Sequence, residues 1–352
     1  MRQLQFNQAV LEATDQCMEK DPSVYIIGLG VPDPKGIFGT TLGLQQKYGM
    51  KRVMDMPASE NAMTGIAIGS ALTGLRPILT HQRVDFMLLS FDQLINNAAK
   101  WHYMFNGRMK VPLVVRAVIG QGWGQGPQHS QSLQPILAHI PGLKIVMPAT
   151  PHDAKGLLIA AVKDDNPVIY LEHRWLHQIN GEVATDMFQV PIGKARIARE
   201  GRDITIVTCS YMTLESLKAA EILAKDGIRA EVIDLRSLKP LDEDSVLDSV
   251  KKTGRLLAAE SAWQTLSFST EILALVSEKA FGALKCAPVR VTFPDVPAPT
   301  SPALANHFYP RFHHIVNTAR KLFGLAPCTQ NEPGLAADIP LDIPDKSFKG
   351  PF

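Results

Sequence analysis

Apolar and polar residues alternate along the chain with two periods, and the switches between them predict the elements. Val24-Tyr-Ile-Ile-Gly28 is a continuous apolar run, and Val111 to Ile119 is nearly one; both suit strands buried on two faces. Val53-Met-Asp-Met-Pro57, Pro77 to Gln82, Lys144 to Met147 and Val168 to Leu171 read as shorter strands. Between them, apolar residues at helical spacing predict helices over 5–19, 59–73, 91–104, 132–140 and 152–163. The pattern lapses into a polar connector around 176–200 and then resumes. Strands are predicted at Ile204–Cys209, Ala230–Asp234, Arg255–Ala259 and Val289–Thr292, with helices over 213–226, 242–252, 267–280 and 313–323. Strand and helix alternating in this way predict α/β architecture: two doubly wound domains with largely parallel sheets. The expected boundaries are 1–185, a connector over 186–201, 202–325, and a Pro-rich tail over 326–352. No internal repeat of fixed period is present.

The segment from Pro57 to Pro77 departs from ordinary amphipathicity. Ser59 and Glu60 make a plausible helix start, with the serine side chain as cap, and Gly74 and Pro77 mark the end. Between them lie Ala62, Gly65, Ala67, Gly69, Ser70 and Ala71. Glycine and serine cost helix propensity, so close packing against a second helix is the expected reason for them. One carboxylate, Glu60, stands at the mouth of this small-residue helix. An isolated first-turn acid is usually solvated; its neighbours decide otherwise below.

Composition narrows the function. The 352 residues carry a net charge of +2 without a basic run, which offers nothing to nucleic acid or an anionic membrane. Apolar stretches are broken well short of a membrane span, and the first residues lack a signal-peptide core. Cys17, Cys209, Cys286 and Cys328 have neither metal nor redox spacing, so reduced thiols and a cytoplasmic location are expected.

Gly120, Gly122, Gly124 and Gly126 follow the central strand, but Pro127-Gln-His-Ser-Gln comes next instead of a helix. The dinucleotide fingerprint is therefore rejected. A loop bringing backbone close to a ligand stays open beside a plain flexible loop. His129 lies just beyond it. No nucleophile elbow, His-Glu-x-x-His pair or Walker loop occurs, so triad hydrolysis and zinc chemistry have no support.

Several blocks together carry a resemblance. Gly36 to Glu60, Gly65-Ile-Ala-Ile-Gly69, Gly74-Leu-Arg-Pro-Ile78, Asp92 to Lys100, Gln128-His-Ser-Gln-Ser132, Pro141 to Pro148, Asp153 to Leu158 and Asp165-Asn-Pro-Val-Ile169 run in collinear order. Over residues 3–325 the chain strongly resembles the β subunit of thiamine-diphosphate-dependent 2-oxo acid dehydrogenases (E1β), a transketolase-like family. The resemblance implies thiamine diphosphate as cofactor. Glu60 matches the carboxylate that hydrogen-bonds the aminopyrimidine ring, and Phe86 the aromatic packed against it. Ala58 and Gln82 would line the same pocket. His129 matches the histidine that reaches the reacting centre as proton donor or substrate anchor. Relatives of this kind hold diphosphate and Mg2+ through a Gly-Asp-Gly motif, which this chain lacks. The resemblance thus implies an E1α-like partner subunit that supplies it, as an α2β2 tetramer. It also implies a potassium site in some relatives, at positions matching Val111, Leu113, Val114, Ala161, Asp164 and Asn166.

Three departures concern the substrate. The first strand ends Gly28-Leu-Gly-Val31, without the usual acid. His81-Gln-Arg-Val-Asp-Phe86 replaces an apolar stretch, so His81 and Arg83 are candidate polar substrate contacts. The tail beyond Leu325 exceeds the usual family end. The leading expectation is a β-type E1 subunit that decarboxylates a 2-oxo acid and passes the acyl unit to a lipoyl group on an acyltransferase (E2). A two-subunit transketolase-like carboligase with an aldehyde or sugar acceptor is the alternative, and a non-catalytic assembly subunit the third reading.

Overall fold

A computed structural model of the chain describes residues 1–121, 125–328, 341–344 and 348. The first half builds a seven-stranded sheet. Its order is Ser237–Lys239, Lys144–Val146, Val168–His173, Val114–Ile119, Arg76–His81, Val24–Ile27 and Val53–Met54. All neighbours pair parallel except Ser237–Lys239, which is antiparallel to Lys144–Val146 and is lent by the second half of the chain. Helices Phe6–Lys20 and Pro151–Lys163 cover one face, and Glu60–Leu72 with its neighbours covers the other. The second sheet runs Val289–Phe293, Leu256–Trp263, Ile204–Thr208, Ala230–Asp234 and Arg196–Arg199, parallel but for the last. One continuous apolar core joins the sheets, from Leu79 and Ile119 through Leu143 to Val207 and Val250. The α/β, doubly wound class is as the alternation predicts.

The polar connector is more ordered than its sequence suggests. Asn180–Val183 pairs antiparallel with Arg2–Gln5, and Arg196–Arg199 closes the second sheet. Lys155, wholly buried, pins the stretch by donating to Glu12 Oε1 at 2.6 Å and to the carbonyls of Ala184, Thr185 and Asp186. The predicted helix over 91–104 is instead a composite: a 3-10 turn at Leu88–Ser90, a π-helical stretch at Gln93–Ala98, then Ala99–Met104. Most of the tail lies outside the described residues. Within them, Arg311 donates to the carbonyls of Ile343 and Pro344 at 2.9 Å, and Arg174 sits over the Phe348 ring.

Because the strands are parallel, their carboxyl ends meet at one edge, where open α/β sheets place ligands. Ile27 is level with both Met54 and Leu79, and His81 with Ala117. The chain leaves these strands at Gly28, at Asp55 to Glu60, at Gln82 to Phe86 and at Gly120.

A buried charge cluster holds the middle of this sheet. Arg116 Nε donates to Glu172 Oε1 at 2.7 Å, and His177 Nε2 stands 3.3 Å from Glu172 Oε2, all three within 1% of full burial. Burial alone would raise the Glu172 carboxyl, but Arg116 and His177 hold it down at about 2. Removing one member of such a pair leaves the other charge uncompensated. Arg116→Met is therefore expected to cost about 3–5 kcal/mol of stability, and Arg116→Met with Glu172→Leu to recover most of it. Denaturant unfolding of the three proteins checks this; a double variant no more stable than the single one would contradict it.

Candidate active site at the strand ends

Glu60 is the first residue of its helix and is buried, with 8% of its surface exposed. Among the described residues its carboxylate has no hydrogen-bond or ion-pair partner. Its carbonyl, by contrast, accepts from Thr64 Oγ1 at 2.7 Å and Ser90 Oγ at 3.2 Å, which fixes the first turn. The expected serine cap is absent: Ser59 has φ −146° and ψ 66° and makes no side-chain cap bond. A free buried carboxylate beside the open amides of a helix start suits a ligand that brings its own hydrogen-bonding groups.

The glycine-rich helix is also not dry within this chain. Thr64, Ala67, Ile68 and Ala71 face inward, while Ala62, Ile66 and Gly69 form an exposed outer face, Ile66 by 56%. Among the described residues nothing lies within 4 Å of a Cβ built on Gly69, whereas one built on Gly65 would stand 3.4 Å from Gln93 Oε1 of the Gln93–Ala98 stretch, so the expected second helix packs at Gly65 and not at Gly69. Gly74, at φ +99°, ends the helix with the Leu75 N–H returning to the Ser70 carbonyl.

Phe86 and His129 come together across the site, ring centroids 5.4 Å apart and edge to face. Gln82 donates to the Leu29 carbonyl at 3.1 Å, joining the ends of two strands. Ala58 is exposed two residues before Glu60. Asp55 was not singled out in the sequence; its carboxylate accepts from the Gly30 and Met56 amides at 2.9 Å and shapes the turn where the usual acid is missing.

His81 and Arg83 point into the protein. His81 is buried, its Nε2 has no partner among the described residues, and desolvation pushes its imidazole down to about 4. At neutral pH it is uncharged. The Arg83 guanidinium donates to the Gly120 carbonyl at 2.8 Å and to Gln125 Oε1, and lies over the Phe38 ring at 5.5 Å. Gly120 needs to be glycine: φ is +77°, and a Cβ would stand 2.5 Å from His173 Nε2. The loop returns through the Gly120 N–H bond to the Gln131 carbonyl, and Gln131 Nε2 donates to Asp85 Oδ1 at 2.7 Å. Gly122, Trp123 and Gly124 lie outside the described residues.

The potassium set gathers at the opposite strand ends. The carbonyls of Val111, Leu113 and Ala161 accept backbone N–H groups of Leu113, Val168 and Asp164, and Asn166 folds back on Asp164 Oδ1. Val114 begins the adjoining strand. Lys144 donates to Asp164 Oδ2, and Arg76 donates to the Val162 and Asp164 carbonyls. The charge a monovalent cation would bring to Asp164 is already supplied by Lys144, so no role is assigned to potassium.

With this geometry in place, comparison with known proteins is informative. The family described as "Transketolase, pyrimidine binding domain" matches residues 2–178, and "Transketolase, C-terminal domain" matches residues 193–315. The chain is 46% identical over 330 residues to the acetoin:2,6-dichlorophenolindophenol oxidoreductase subunit beta of Cupriavidus necator, covering 91% of this chain and 97% of that protein. It is 42% identical over 314 residues to the pyruvate dehydrogenase E1 component subunit beta of Porphyra purpurea, covering 89% and 95%. A solved chain described as a split gene transketolase, inactive beta4 tetramer, superposes with a TM-score of 0.74 over 91% of this chain and 98% of that one. At 22% identity that likeness is one of fold.

Burial of a neutral histidine makes stability pH-dependent. Between the ordinary histidine value of 6.5 and about 4, the unfolded chain takes up a proton at residue 81 that the folded chain refuses. The stabilisation is complete above that window and is lost as pH falls through it, by up to about 1.4 kcal/mol per pH unit for one proton. His81→Gln should flatten the fall in unfolding temperature between pH 7 and pH 4.5. Parallel curves for the two proteins would show that His81 is protonated in the fold.

Proposed function

The chain belongs to the transketolase-like family, in the β-subunit type that joins a pyrimidine-binding to a C-terminal domain, and on that premise we propose that it is the β subunit of a thiamine-diphosphate-dependent E1 enzyme. The observation that carries this reading is the buried Glu60 carboxylate, without a partner among the described residues, at the strand ends where Phe86 and His129 meet edge to face. These residues fit the aminopyrimidine of thiamine diphosphate: a carboxylate without a partner among the described residues and one aromatic face, with Gln82, bonded to the Leu29 carbonyl, and the exposed Ala58 at the same strand ends. Bound there, the cofactor would supply a thiazolium carbanion able to add to a substrate carbonyl. Glu60 Oε would hold the proton shared with the pyrimidine nitrogen, in surroundings dry enough to strengthen that bond. His129 would donate or accept a proton at the substrate oxygen, and Phe86 keeps its imidazole edge-on.

The substrate is a 2-oxo acid in the leading reading, with the acyl unit passed to a lipoyl group on an E2 acyltransferase. One observation favours a second substrate class, an uncharged α-hydroxyketone such as acetoin. His81 is neutral and the Arg83 guanidinium is already engaged by Gly120 and Gln125, so neither supplies a free cation for a carboxylate. The carboligase alternative leaned on the same two residues and is not favoured by the relatives. Retention of Glu60, Phe86 and His129 speaks against a purely structural subunit.

An E1α-like partner in an α2β2 tetramer completes the reading. It would bring the Gly-Asp-Gly site for Mg2+ and diphosphate that this sequence lacks. The exposed Ala62, Ile66 and Gly69 face, and Tyr103 and Met104 at 89% and 66% exposure, are apolar surfaces suited to subunit contact. The cysteines are free thiols, which supports a cytoplasmic location. Among the described residues no helix is long and apolar enough to cross a membrane.

The test is turnover by the assembled complex with 2,6-dichlorophenolindophenol as electron acceptor, which needs no acyltransferase. This chain alone should be inactive, and addition of the α-type subunit should restore turnover. Glu60→Gln should leave assembly intact and lower turnover by about 10²–10⁴-fold, the usual scale for a positioned acid–base group. Tight Mg2+-dependent cofactor binding by this chain alone, or full activity of the Gln variant, would sink the assignment. The substrate question is read from kcat/KM for acetoin against pyruvate; a tenfold preference for pyruvate would remove the hydroxyketone reading.

A further inference from the structure

Residues Arg83 to Phe86 touch the glycine loop at four places. Arg83 donates to the Gly120 carbonyl, where the loop leaves its strand, and to Gln125 Oε1 in its returning limb. Asp85 Oδ1 accepts from Gln131 Nε2, two residues past His129. Phe86 lies edge to face against His129 itself. Among the described residues the loop bonds to itself from Gly120 N–H to the Gln131 carbonyl, from His129 N–H to the Gly126 carbonyl and from Ser130 Oγ to the Gln125 carbonyl, and Tyr309 donates to Gln121 Oε1. The loop is otherwise short of apolar anchors near His129, where Pro127 and Gln128 are exposed. We infer that Arg83 and Asp85 are positioning residues that grip the loop on both sides of His129 and fix where its imidazole stands relative to Glu60.

The chemistry of the two grips supports this. Arg83 is 3% exposed, and its planar fork spans two acceptors on separate limbs of the loop. It also rests on Phe38, whose ring meets Arg174 at 4.7 Å and His177 at 5.7 Å, so its stem cannot swing without disturbing a packed column of rings and cations. The second grip is a side-chain amide on a carboxylate, a charge-assisted bond of ordinary length. Between the two grips runs a chain that includes Gly120 and Gly126, whose backbone freedom would otherwise let His129 wander. Displacement of a catalytic group by about 1 Å costs up to roughly a hundredfold in rate.

This inference rests on the role proposed above for His129, and the experiment separates the two. In the assembled complex, Arg83→Met should lower kcat about 10–100-fold with KM changed less than about threefold. Arg83→Lys, which keeps charge but loses the fork, should fall between. His129→Ala should lower kcat, and Arg83→Met with His129→Ala should be no slower than His129→Ala alone. Hydrogen exchange of peptides covering 120–131 should speed up in Arg83→Met while the strand peptides stay protected. Gln131→Leu releases the other grip without touching the buried arginine and should show the same coupling, which keeps the test open if Arg83→Met assembles poorly. Multiplying losses in the double variants, or unchanged exchange of the loop, would overturn the inference while His129 kept its role. A His129→Ala variant with full turnover would remove both.

Discussion

The parallel register of four strands is the constraint on which the site depends. Val24–Ile27, Val53–Met54, Arg76–His81 and Val114–Ile119 run parallel with their carboxyl ends at one edge of the sheet, so the residues that follow them leave from the same side. Glu60, Gln82, Phe86 and His129 are far apart in sequence and all follow the carboxyl ends of these strands, where Phe86 and His129 meet edge to face. A one-residue slip would turn each side chain to the other face of the sheet. The buried Arg116–Glu172 bond crosses two of the central strands, and the Arg116↔Tyr170 and Val118↔Glu172 pairings place it. An ion pair held this deep is costly to desolvate and adds little net stability. Its geometry is satisfied in one register only, which is a specificity role consistent with its position.

Cations do similar work elsewhere, in each case by capturing backbone carbonyls. Lys155 gathers three carbonyls of the connector, Arg311 three of the tail, Arg76 two at the end of the Pro151–Lys163 helix, and Arg83 one at Gly120. These are segments whose carbonyls have no ladder or helix to satisfy them. The fold uses buried Lys and Arg as substitutes for missing secondary structure. Each charge thereby gains the hydrogen bonds its burial requires.

The order of strands and helices was legible because period and run length survive in the sequence of a two-face-buried parallel sheet. The blocks around Glu60, Phe86 and His129 were legible by resemblance. What could not be read was every feature set by a distant partner. Ser237-Leu-Lys239 has too little pattern to announce a strand, and it is one only because Lys144–Val146 offers an unpaired edge. The connector looked like a lapse because its strands are edge strands, with polar residues facing outward. Ser59 looked like a cap on composition, yet its backbone angles turn its side chain away from the helix amides. His81 and Arg83 looked like substrate contacts because polarity at a strand end has no direction in a sequence. The structure supplies the direction, and it is inward.

Two features of one helix stand open among the described residues. Its first residue presents a buried carboxylate without a partner, and its outer face presents Ala62, Ile66 and Gly69 without a neighbour. A protein that closed its own site would be expected to cover both, since an unpaired carboxylate and an open small-residue stripe each cost free energy in a finished fold. Small residues on that face let another backbone approach closely, and close approach there would bring its donors within reach of Glu60. In the assembly proposed above, occupation of the face would accompany completion of the site. This gives a physical reason for the glycine at 69, which weakens the helix by roughly 1 kcal/mol; Gly65 instead faces Gln93, whose Oε1 would stand 3.4 Å from a Cβ there.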